Sequence, residues 1–505
     1  MRVDFGEFSW FPIVQVCSCW RKLALDTPIL WTDITVGYGS IDLLRDILVR
    51  SQEAPLRIAV YRVPERSLEH LKLAVSCFHR AKELVLRFSS RRAAEIVFFE
   101  GTFPKSFPYL KSLILAPNDL YGRSMFNPSA MQLPPVLNDL GTVAPLLQQI
   151  RILDFQIDWN TISFPASLKS LTITSSGDFS GGLLPSISQV VAVVRSIPML
   201  EHLTLRGLLP IFHQAVAALP FIRQASEMSR LQEMHIKGPP LESAYFVAHF
   251  LIPPSASVSL EWSYTCSSDR WPLLVDLLST HLLTKAAPED NRQPVDLFTL
   301  SQDGVGFYKR GTSMSLASSG AQLYLGFRHD DTARLDELMP LISRLPLRGV
   351  SVVATETSCL TRRLLNVWRD IITAMPAVQT FHIGNTAAEH WEMSRPGFDP
   401  VPHDIFFLLE SSTASNKPDS TAILLPQLHL LSLAGISFRK TKNALSEFKF
   451  VEELRAALDI RDAAGHAVQE LVLEDCENVD KGDLEFLQQI VPSVTEKSLY
   501  HTDSD

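Results

Sequence analysis

Two cysteines near the amino terminus have the types and spacing that most directly suggest chemistry. Cys17 and Cys19 lie two positions apart in "VCSCWRKLALDTPILWTDI", residues 16–34. Thiolates bind zinc and exchange disulfides, so the pair raises the question of a metal or redox site. On a helix this spacing points the two thiols to different sides, and no second Cys/His pair follows at a zinc-ligand spacing. The sequence therefore predicts no metal site, no redox site and no cofactor.

The histidines are mostly isolated from other ionisable residues. His202, His235, His382 and His429 lie inside short apolar segments, and the first three occupy a similar slot there. They could form a row on a sheet surface, but solvent-facing strand positions that tolerate polar residues explain them better. No Gly-x-Ser-x-Gly, HExxH or Walker pattern accompanies them. The sequence predicts that the chain is not an enzyme.

The charged clusters in the sequence are short, which indicates solvated surface residues. Examples are the acidic pairs Asp330–Asp331 and Glu452–Glu453 and the basic pairs in "SSRRAAE" (89–95) and "LTRRLL" (360–365). A nucleic-acid site needs a wider basic stripe with interleaved aromatic residues. The formal charge of −9 also disfavours nucleic acid or an anionic membrane as partner. We expect neither partner.

The composition is that of a folded protein. Of the 505 residues, 46% are hydrophobic and 20% charged. The six cysteines, at positions 17, 19, 77, 266, 359 and 476, form no disulfide framework. The start "MRVDFGEFSW" lacks the pattern of a signal peptide, and no run of about 18 apolar residues predicts a membrane span. These features predict a cytoplasmic or nuclear protein.

One apolar-x-x-apolar-x-apolar template recurs along the chain. Its last two apolar positions alternate, which is the period of a short strand with one buried face. Successive copies end at Leu115, Ile152, Ile173, Leu205 and Ile236, at intervals of 37, 21, 32 and 31 residues. The copies are "LKSLIL" (110–115), "LLQQIRI" (146–152), "LKSLTI" (168–173), "LEHLTL" (200–205), "LQEMHI" (231–236), "VQTFHI" (378–383), "LHLLSL" (428–433) and "VQELVL" (468–473), with weaker copies at 55–61 and 82–88.

Amphipathic segments lie between these predicted strands. They include 40–51, with Ser40 as N-cap, then 187–198, ended by Pro198, and 361–376. A unit of helix, turn and short strand cannot bury both its faces alone, so the pattern favours units stacked into an α/β, irregular leucine-rich-repeat-like solenoid. A doubly wound α/β sheet is the alternative. No glycine-rich phosphate loop follows any predicted strand.

These patterns divide the chain into three parts. A short helical segment occupies residues 1–36, and the solenoid occupies residues 37–496. Loop insertions are predicted near 285–345, around "TKAAPEDNRQPVD" and "GTSMSLASSGAQ", and at 411–421. Residues 497–505 are predicted to form a flexible tail.

The opening segment is predicted to form a compact helical hook. An apolar stripe at Ile13, Cys17, Trp20 and Ala24, widened by two neighbouring residues, predicts a helix with its basic residues on the other side. Asp26-Thr27-Pro28 should end that helix. Residue 27 would then cap a second short turn, and Pro28 would be its first residue. Beyond the turn, "TDITV" alternates as a strand.

This segment resembles the C-terminal half of an F-box, in the form common in mushroom-type fungi. That form reads W…V-C-x-x-W-R-x-x-A-L-x-x-P-x-L-W-x-x-I and leads into a leucine-rich-repeat-like domain. The matching residues here are Trp10, Val16, Cys17, Trp20, Arg21, Ala24, Leu25, Pro28, Leu30, Trp31 and Ile34. The motif covers about 25 positions. The first-half helix of the family, L-P-x-E-I-L…I-F, has no counterpart ahead of it, which leaves open a truncated F-box or a degenerate one.

The resemblance implies a substrate-recognition subunit of an SCF-type (cullin–RING) ubiquitin ligase. Val16, Cys17, Trp20, Leu25, Pro28, Leu30 and Trp31 would then dock a Skp-family adaptor, and through it a cullin, or stabilise the hook. The repeat domain would select a protein substrate, with strand positions such as Thr204, His235 and His382 as its default surface. The alternative is an adaptor-independent repeat scaffold for protein–protein interaction. In that case the hook only caps the amino-terminal end of the repeats.

Overall fold

The chain divides into two compact units. Unit 1 comprises Met1–Ala215, Pro220–Gly238 and His249–Pro253, and unit 2 comprises Val216–Leu219, Pro239–Ala248 and Pro254–Asp505. The computed structural model describes residues 16–36, 40–61, 63, 67–88, 91–99, 103–117, 132–175, 184–211, 225–253, 255–262, 270–278, 295–301, 304–309, 323–326, 347–356, 365–384, 411–412, 422–436, 438 and 450–497. In both units these residues form a mixed α/β structure in which most neighbouring strands are parallel.

A parallel sheet forms the framework of unit 1. Its described strands are β1 (Asp33–Val36), β2 (Leu56–Tyr61), β3 (Ala81–Phe88), β4 (Ser112–Pro117), β5 (Gln149–Leu153), β6 (Ser170–Thr174), β7 (His202–Arg206), β8 (Ser226–Glu227), β9 (Glu233–Gly238) and β10 (Phe250–Leu251). The order in the sheet, β1-β2-β3-β4-β5-β6-β7-β9, follows the order in the chain, and every pairing is parallel. β8 and β10 pair separately. Each strand therefore extends the sheet by one position on the same edge.

The recurring apolar template forms the buried face of this sheet. In β6, Leu171 and Ile173 are both about 1% exposed. Leu171 lies in register between Ile150 and Leu203, so these three residues form one apolar row. Ile173 lies in a second apolar row. Burying one such side chain contributes roughly 1.5–3 kcal/mol. The prediction that the template marks strands is confirmed at all eight copies, because each overlaps an observed strand.

Helices and turns connect the strands of unit 1. The helices are α1 (Ser18–Leu25), α2 (Ile41–Arg50), α3 (Leu68–Val75), α4 (Arg91–Phe99), α5 (Leu140–Val143) and α6 (Ile187–Arg195). The predicted N-cap of α2 is confirmed, since Ser40 Oγ accepts a hydrogen bond from the Leu43 N–H at 3.2 Å. The segment predicted as a buried helix is α6, which buries five of its apolar side chains.

Unit 2 combines parallel strands with an antiparallel insertion. Its described elements are α7 (Pro240–Ala248), β11 (Ser257–Trp262), α8 (Trp271–Leu278), β12 (Val295–Ser301), β13 (Gly304–Lys309), β14 (Leu323–Gly326), β15 (Val352–Glu356), α9 (Leu365–Thr373), β16 (Thr380–Gly384), β17 (Ser411–Ser412), β18 (Ala422–Ile423), β19 (Leu430–Ala434), α10 (Phe450–Ala463), β20 (Glu470–Glu474), α11 (Lys481–Gln488) and β21 (Ser493–Lys497). β12, β15, β16, β19, β20 and β21 pair in that order and in parallel.

The region predicted as loop insertions near 285–345 contains part of this sheet. β13 pairs antiparallel with both β12 and β14, and β14 pairs in parallel with β11. The polar stretches that suggested loops, 284–296 and 311–322, lie almost wholly outside the described residues; the exception is the start of β12. The missed signal is the alternation of apolar residues within a strand, such as Val305 and Phe307 in β13.

The ends of two other predicted loops are also strands. At 411–421, only β17 is described, and it pairs antiparallel with β18. Lys497, placed at the start of a flexible tail, instead ends β21 and pairs with Glu474 of β20. Residues 498–505 lie outside the described part of the chain.

Buried arginines fasten loops to the cores of both units. In unit 1, the Arg80 guanidinium donates to the carbonyls of Ser51 and Ala54. In unit 2, Arg461 is fully buried on α10 and donates to the carbonyls of Leu424 and Leu425 at 2.7 and 2.8 Å. Burial lowers the pKa of Arg461 to about 10. These bonds satisfy carbonyls that no strand ladder reaches.

No helix within the described ranges is both long enough and apolar enough to cross a membrane.

Candidate functional site

The amino-terminal hook consists of α1, a 3-10 turn at Pro28–Trp31 and β1. Cys17 is the N-cap of α1, and its sulfur accepts a hydrogen bond from the Trp20 N–H at 3.4 Å. The helix ends at Asp26, whose N–H bonds back to Lys22 O at 3.0 Å. Pro28 then begins the 3-10 turn, where its missing N–H costs nothing.

Two side chains anchor the hook on unit 1. Ala24 and Trp31 are 3% and 5% exposed. The indole Nε1 of Trp31 donates to Ala24 O at 2.8 Å, so α1 and the turn are tied together. The Arg50 guanidinium of α2 lies 5.1 Å from the Trp31 ring centroid, within cation–π range. β1 then pairs with β2. The hook is therefore fixed to the first strands of the sheet.

The hook also exposes large apolar side chains. Val16, Trp20, Leu23 and Ile29 are 69%, 52%, 59% and 72% exposed. Trp20 and Leu23 are spaced i and i+3 and so lie side by side on α1, while Val16 precedes the Cys17 N-cap and Ile29 lies in the 3-10 turn. We call these four residues the apolar hook surface. Clustered apolar exposure of this kind on a fixed element is typical of an interaction site.

The structure corrects the predicted orientation of α1. Cys17 and Trp20 were expected to pack inward, but Cys17 is an exposed N-cap and Trp20 is half exposed. Leu25, Pro28 and Leu30 are half-buried. Residue 27 occupies the predicted cap position without making the cap bond; its hydroxyl donates instead to Leu23 O at 2.6 Å. Residues 10 and 13 of the motif lie outside the described ranges.

The cysteines that the structure describes form no cluster with other described metal-ligand residues. Within the described ranges, no group of three or more His, Cys, Asp or Glu side chains could hold a metal ion. Cys17, Cys19, Cys77 and Cys476 are free thiols. Burial raises the pKa of the Cys476 thiol to about 11, and its Sγ donates to Leu433 O at 3.3 Å. That thiol is a protonated structural group at neutral pH.

The register separates the histidines that sequence spacing grouped together. In unit 1, His202 lies opposite Glu233, whereas His235 lies opposite Thr204, so the two histidines fall in different rows of the sheet. The His202 ring lies 3.3 Å from the Glu233 carboxylate. In unit 2, His382 lies between Ala354 and Ser432. The histidine row, the less favoured of the two interpretations, is therefore absent from the described part of unit 1, while Thr204 and His235 do share a row.

Sequence reasoning missed a group of basic residues on the sheet of unit 1. Arg87, Arg151, Arg206 and Lys237 come from four different strands. None of the four has a basic residue beside it in the sequence, so a search for adjacent basic pairs passes over them. The signal in the sequence is the alternation of each of these basic residues with buried apolar residues.

Comparison with known proteins adds little to this geometry. No family model and no curated protein matches the chain. Among solved structures, it is similar to the leucine-rich repeat-containing protein LegL7 from Legionella pneumophila, with 12% identity, a TM-score of 0.30, and coverage of 75% of this chain and 89% of that one. A TM-score this low does not establish a shared fold, so the functional conclusion depends on the hook and the sheet.

Proposed function

We propose that this chain is a substrate-recognition subunit of an SCF-type ubiquitin ligase. The hook docks a Skp-family adaptor that connects to a cullin, and the strand-rich units select a protein substrate. The chain performs no chemistry in this role. It raises the effective concentration of substrate beside the ubiquitin-conjugating enzyme.

The apolar hook surface is the observation that carries this proposal. Trp20 and Leu23 lie on a helix that is fixed through the buried Ala24 and its bond to Trp31. A preorganised apolar face with a central tryptophan is the kind of surface that concentrates binding energy. Val16 and Trp20 are matching residues of the motif that resembles the C-terminal half of an F-box, and Leu23 and Ile29 occupy positions that the motif leaves open.

The strand arrangement supports a leucine-rich-repeat-like solenoid as the substrate-binding part. In unit 1, each repeat adds one parallel strand beside the previous one, and two apolar rows run through the sheet. Such stacked units present a long strand face, since each repeat contacts its neighbours. We propose that a protein substrate binds on this face.

The experiment compares two tryptophan variants of the full chain. Trp20→Ala should weaken binding to a purified Skp-family adaptor at least about tenfold while changing the free energy of unfolding by less than about 0.5 kcal/mol, as expected for an exposed residue. Trp31→Ala, the matched control, removes a buried anchor and should lower that free energy by about 3–5 kcal/mol. Calorimetric titration and chemical denaturation measure the two quantities.

Two results would contradict the docking role. One is the absence of a complex between the wild-type chain and the adaptor. The other is equal adaptor affinity for Trp20→Ala and the wild type, because the exposed indole would then lie outside the interface.

An adaptor-independent scaffold is the second candidate, and the anchoring of the hook favours it. Ala24 and Trp31 are buried beside β1, the first strand of the sheet, as a cap would require. In that case the adaptor does not bind. Trp31→Ala then accelerates amide exchange in β1 and β2, while Trp20→Ala does not.

A further inference from the structure

The sheet of unit 1 has a second face, opposite the apolar rows, which we call the outer face. Strand register sorts its residues into rows, because alternate side chains point to the same side. At the amino-terminal ends of the strands the row is Asp33, Arg57, Glu83, Ser112, Gln149, Ser170, His202 and Glu233. Toward the carboxyl-terminal ends, the row includes Tyr61, Arg87, Ala116, Thr174, Arg206 and Lys237.

Charge is balanced at the amino-terminal ends of these strands. The Arg57 guanidinium lies 3.7 Å from Asp33 and 3.1 Å from Glu83. Just before β6 and β7, Lys169 pairs with Glu201 at 2.9 Å. Arg57 and Lys169 at this end are thus paired with carboxylates within the fold.

The carboxyl-terminal ends are different. Arg87, Arg206 and Lys237 lie in the row at this end, and Arg151 lies one row further in, opposite Ile114 and Thr172. We call these four residues the cationic edge. No carboxylate of the described residues pairs with its three arginines. Among the residues that the structure describes, the acidic residue at these strand ends is Asp154, which follows β5.

The three arginines are close enough to affect one another. Partial desolvation lowers the pKa of Arg151, and the positive charges of Arg87 and Arg206 lower it further. The Arg87 guanidinium lies 5.3 Å from the Tyr61 ring centroid, and its Nε is buried without a hydrogen-bond acceptor in the described structure. Like charges gathered in this way cost folding free energy. An anionic partner would offset that cost.

Spacing restricts the form of the partner. Arg87, Arg151 and Arg206 lie on every second strand, so their backbones are separated by about 10 Å at about 4.8 Å per strand. From β3 to β9 the cationic edge spans roughly 24 Å by the same measure. A peptide in the extended polyproline II conformation rises about 3.1 Å per residue and returns to the same side every three residues, so acidic side chains three residues apart would meet successive arginines.

We propose that the cationic edge binds an extended acidic segment of a protein, with carboxylate side chains repeated about every third residue. The inference rests on the proposed function, since it names the class of substrate that the strand face selects. Each arginine presents a planar fork of N–H donors that matches a carboxylate. Ile114 and Thr172, beside Arg151, offer small apolar and hydroxyl contacts to the intervening side chains.

The surroundings favour a peptide over a nucleic acid. Single-stranded nucleic acid binds on aromatic side chains that stack with its bases. Among the described residues of the outer face, the aromatic ring at this end is Tyr61, and Arg87 already lies over it. The formal charge of −9 over the whole chain also opposes long polyanions while leaving a local contact possible.

The test is fluorescence anisotropy of the full chain with a labelled 12-residue peptide bearing glutamate at every third position. We expect saturable binding that weakens with added salt. Binding should weaken at least about tenfold in the double variant Arg151→Gln/Arg206→Gln and recover in Arg151→Lys/Arg206→Lys to within about threefold of wild type. Denaturation should show that the glutamine variant is no less stable than the wild type, because it relieves repulsion.

Three controls test whether binding depends on the cationic edge and on the carboxylates of the peptide. Arg57→Gln, on the same face but already ion-paired, should leave affinity within about twofold, since its charge is already engaged. A peptide with glutamine in place of glutamate should not bind. Equal affinity of the double glutamine variant and wild type would overturn the proposal. So would tighter binding of a 20-nucleotide oligouridylate that the same substitutions abolish.

The adaptor experiment separates this inference from the ubiquitin-ligase role. Adaptor binding with no acidic-peptide binding overturns the cationic-edge proposal alone. Peptide binding that depends on Arg151 and Arg206, in a chain that does not bind the adaptor, overturns the ligase role and leaves the peptide site in place.

Discussion

Gly207, the residue after β7, shows how one position can be fixed by its neighbours. Its φ is +66°, and a Cβ built there would clash with the carbonyl oxygen of Ser175. Its N–H donates to Lys237 O at 2.8 Å, which ties the end of β7 to β9. Glycine is needed here both because the backbone is left-handed and because the Ser175 backbone approaches closely.

Gly207→Ala should therefore destabilise the protein more than the same change at another left-handed glycine. We expect a loss of at least about 2 kcal/mol in the free energy of unfolding, measured by chemical denaturation. The matched control is Gly465→Ala, where φ is +81° and the Cβ would meet no atom within 4 Å. That change should cost about 1 kcal/mol. Equal losses would show that the Ser175 carbonyl moves aside freely.

Individual helices and strands were predicted better than any other level of the structure. Helix α6 was expected from its apolar run and its terminal proline, and it occupies Ile187–Arg195. Its capping box was not predicted: Ser186 Oγ accepts from the Gln189 N–H at 3.2 Å, and the Ser186 N–H donates to Gln189 Oε1 at 2.7 Å. These bonds satisfy donors that the helix itself leaves free.

Ser186→Ala should remove that cap and lower the free energy of unfolding by about 1 kcal/mol. Ser186→Asp keeps an acceptor at the N-cap and adds a charge favourable to the helix dipole, so it should leave stability within about 0.5 kcal/mol of wild type. Thermal denaturation of the two variants measures the difference. Identical losses in both would attribute the effect to packing rather than to capping.

At the scale of the whole molecule, burial on a sheet couples stability to pH. His382 on β16 is half-buried, and desolvation lowers its pKa to about 4, with a smaller contribution from Lys497 on β21. The unfolded chain binds this proton near pH 6.5. Stability from the neutral ring is therefore complete above pH 6.5 and is lost as the pH falls toward 4.

His382→Gln should flatten this part of the pH profile. Between pH 6.5 and 4, the wild type should lose on the order of 2 kcal/mol more unfolding free energy than the variant. Denaturant titrations at several pH values measure the loss, and the imidazole NMR signal follows the proton directly. Parallel profiles for the two chains would contradict the buried neutral histidine.

The sequence by itself determined the local structure. Period-two apolar alternation marks strands and a capped amphipathic stripe marks helices, because both patterns record which side chains one element buries. The motif at 16–34 likewise predicted a helix, a proline turn and a strand, and all three are present. It also identified Trp31 as part of the hook.

Only the tertiary structure decided which side each residue faces and which residues meet. Trp20 and Ala24 belong to one predicted stripe, yet Trp20 is half exposed and Ala24 buried, because α1 packs through a narrower face than its sequence offers. Arg87, Arg151 and Arg206 lie 64 and 55 residues apart in the chain, and parallel register places them on one edge. Register is set by long-range strand pairing, and that pairing is not written in any single segment.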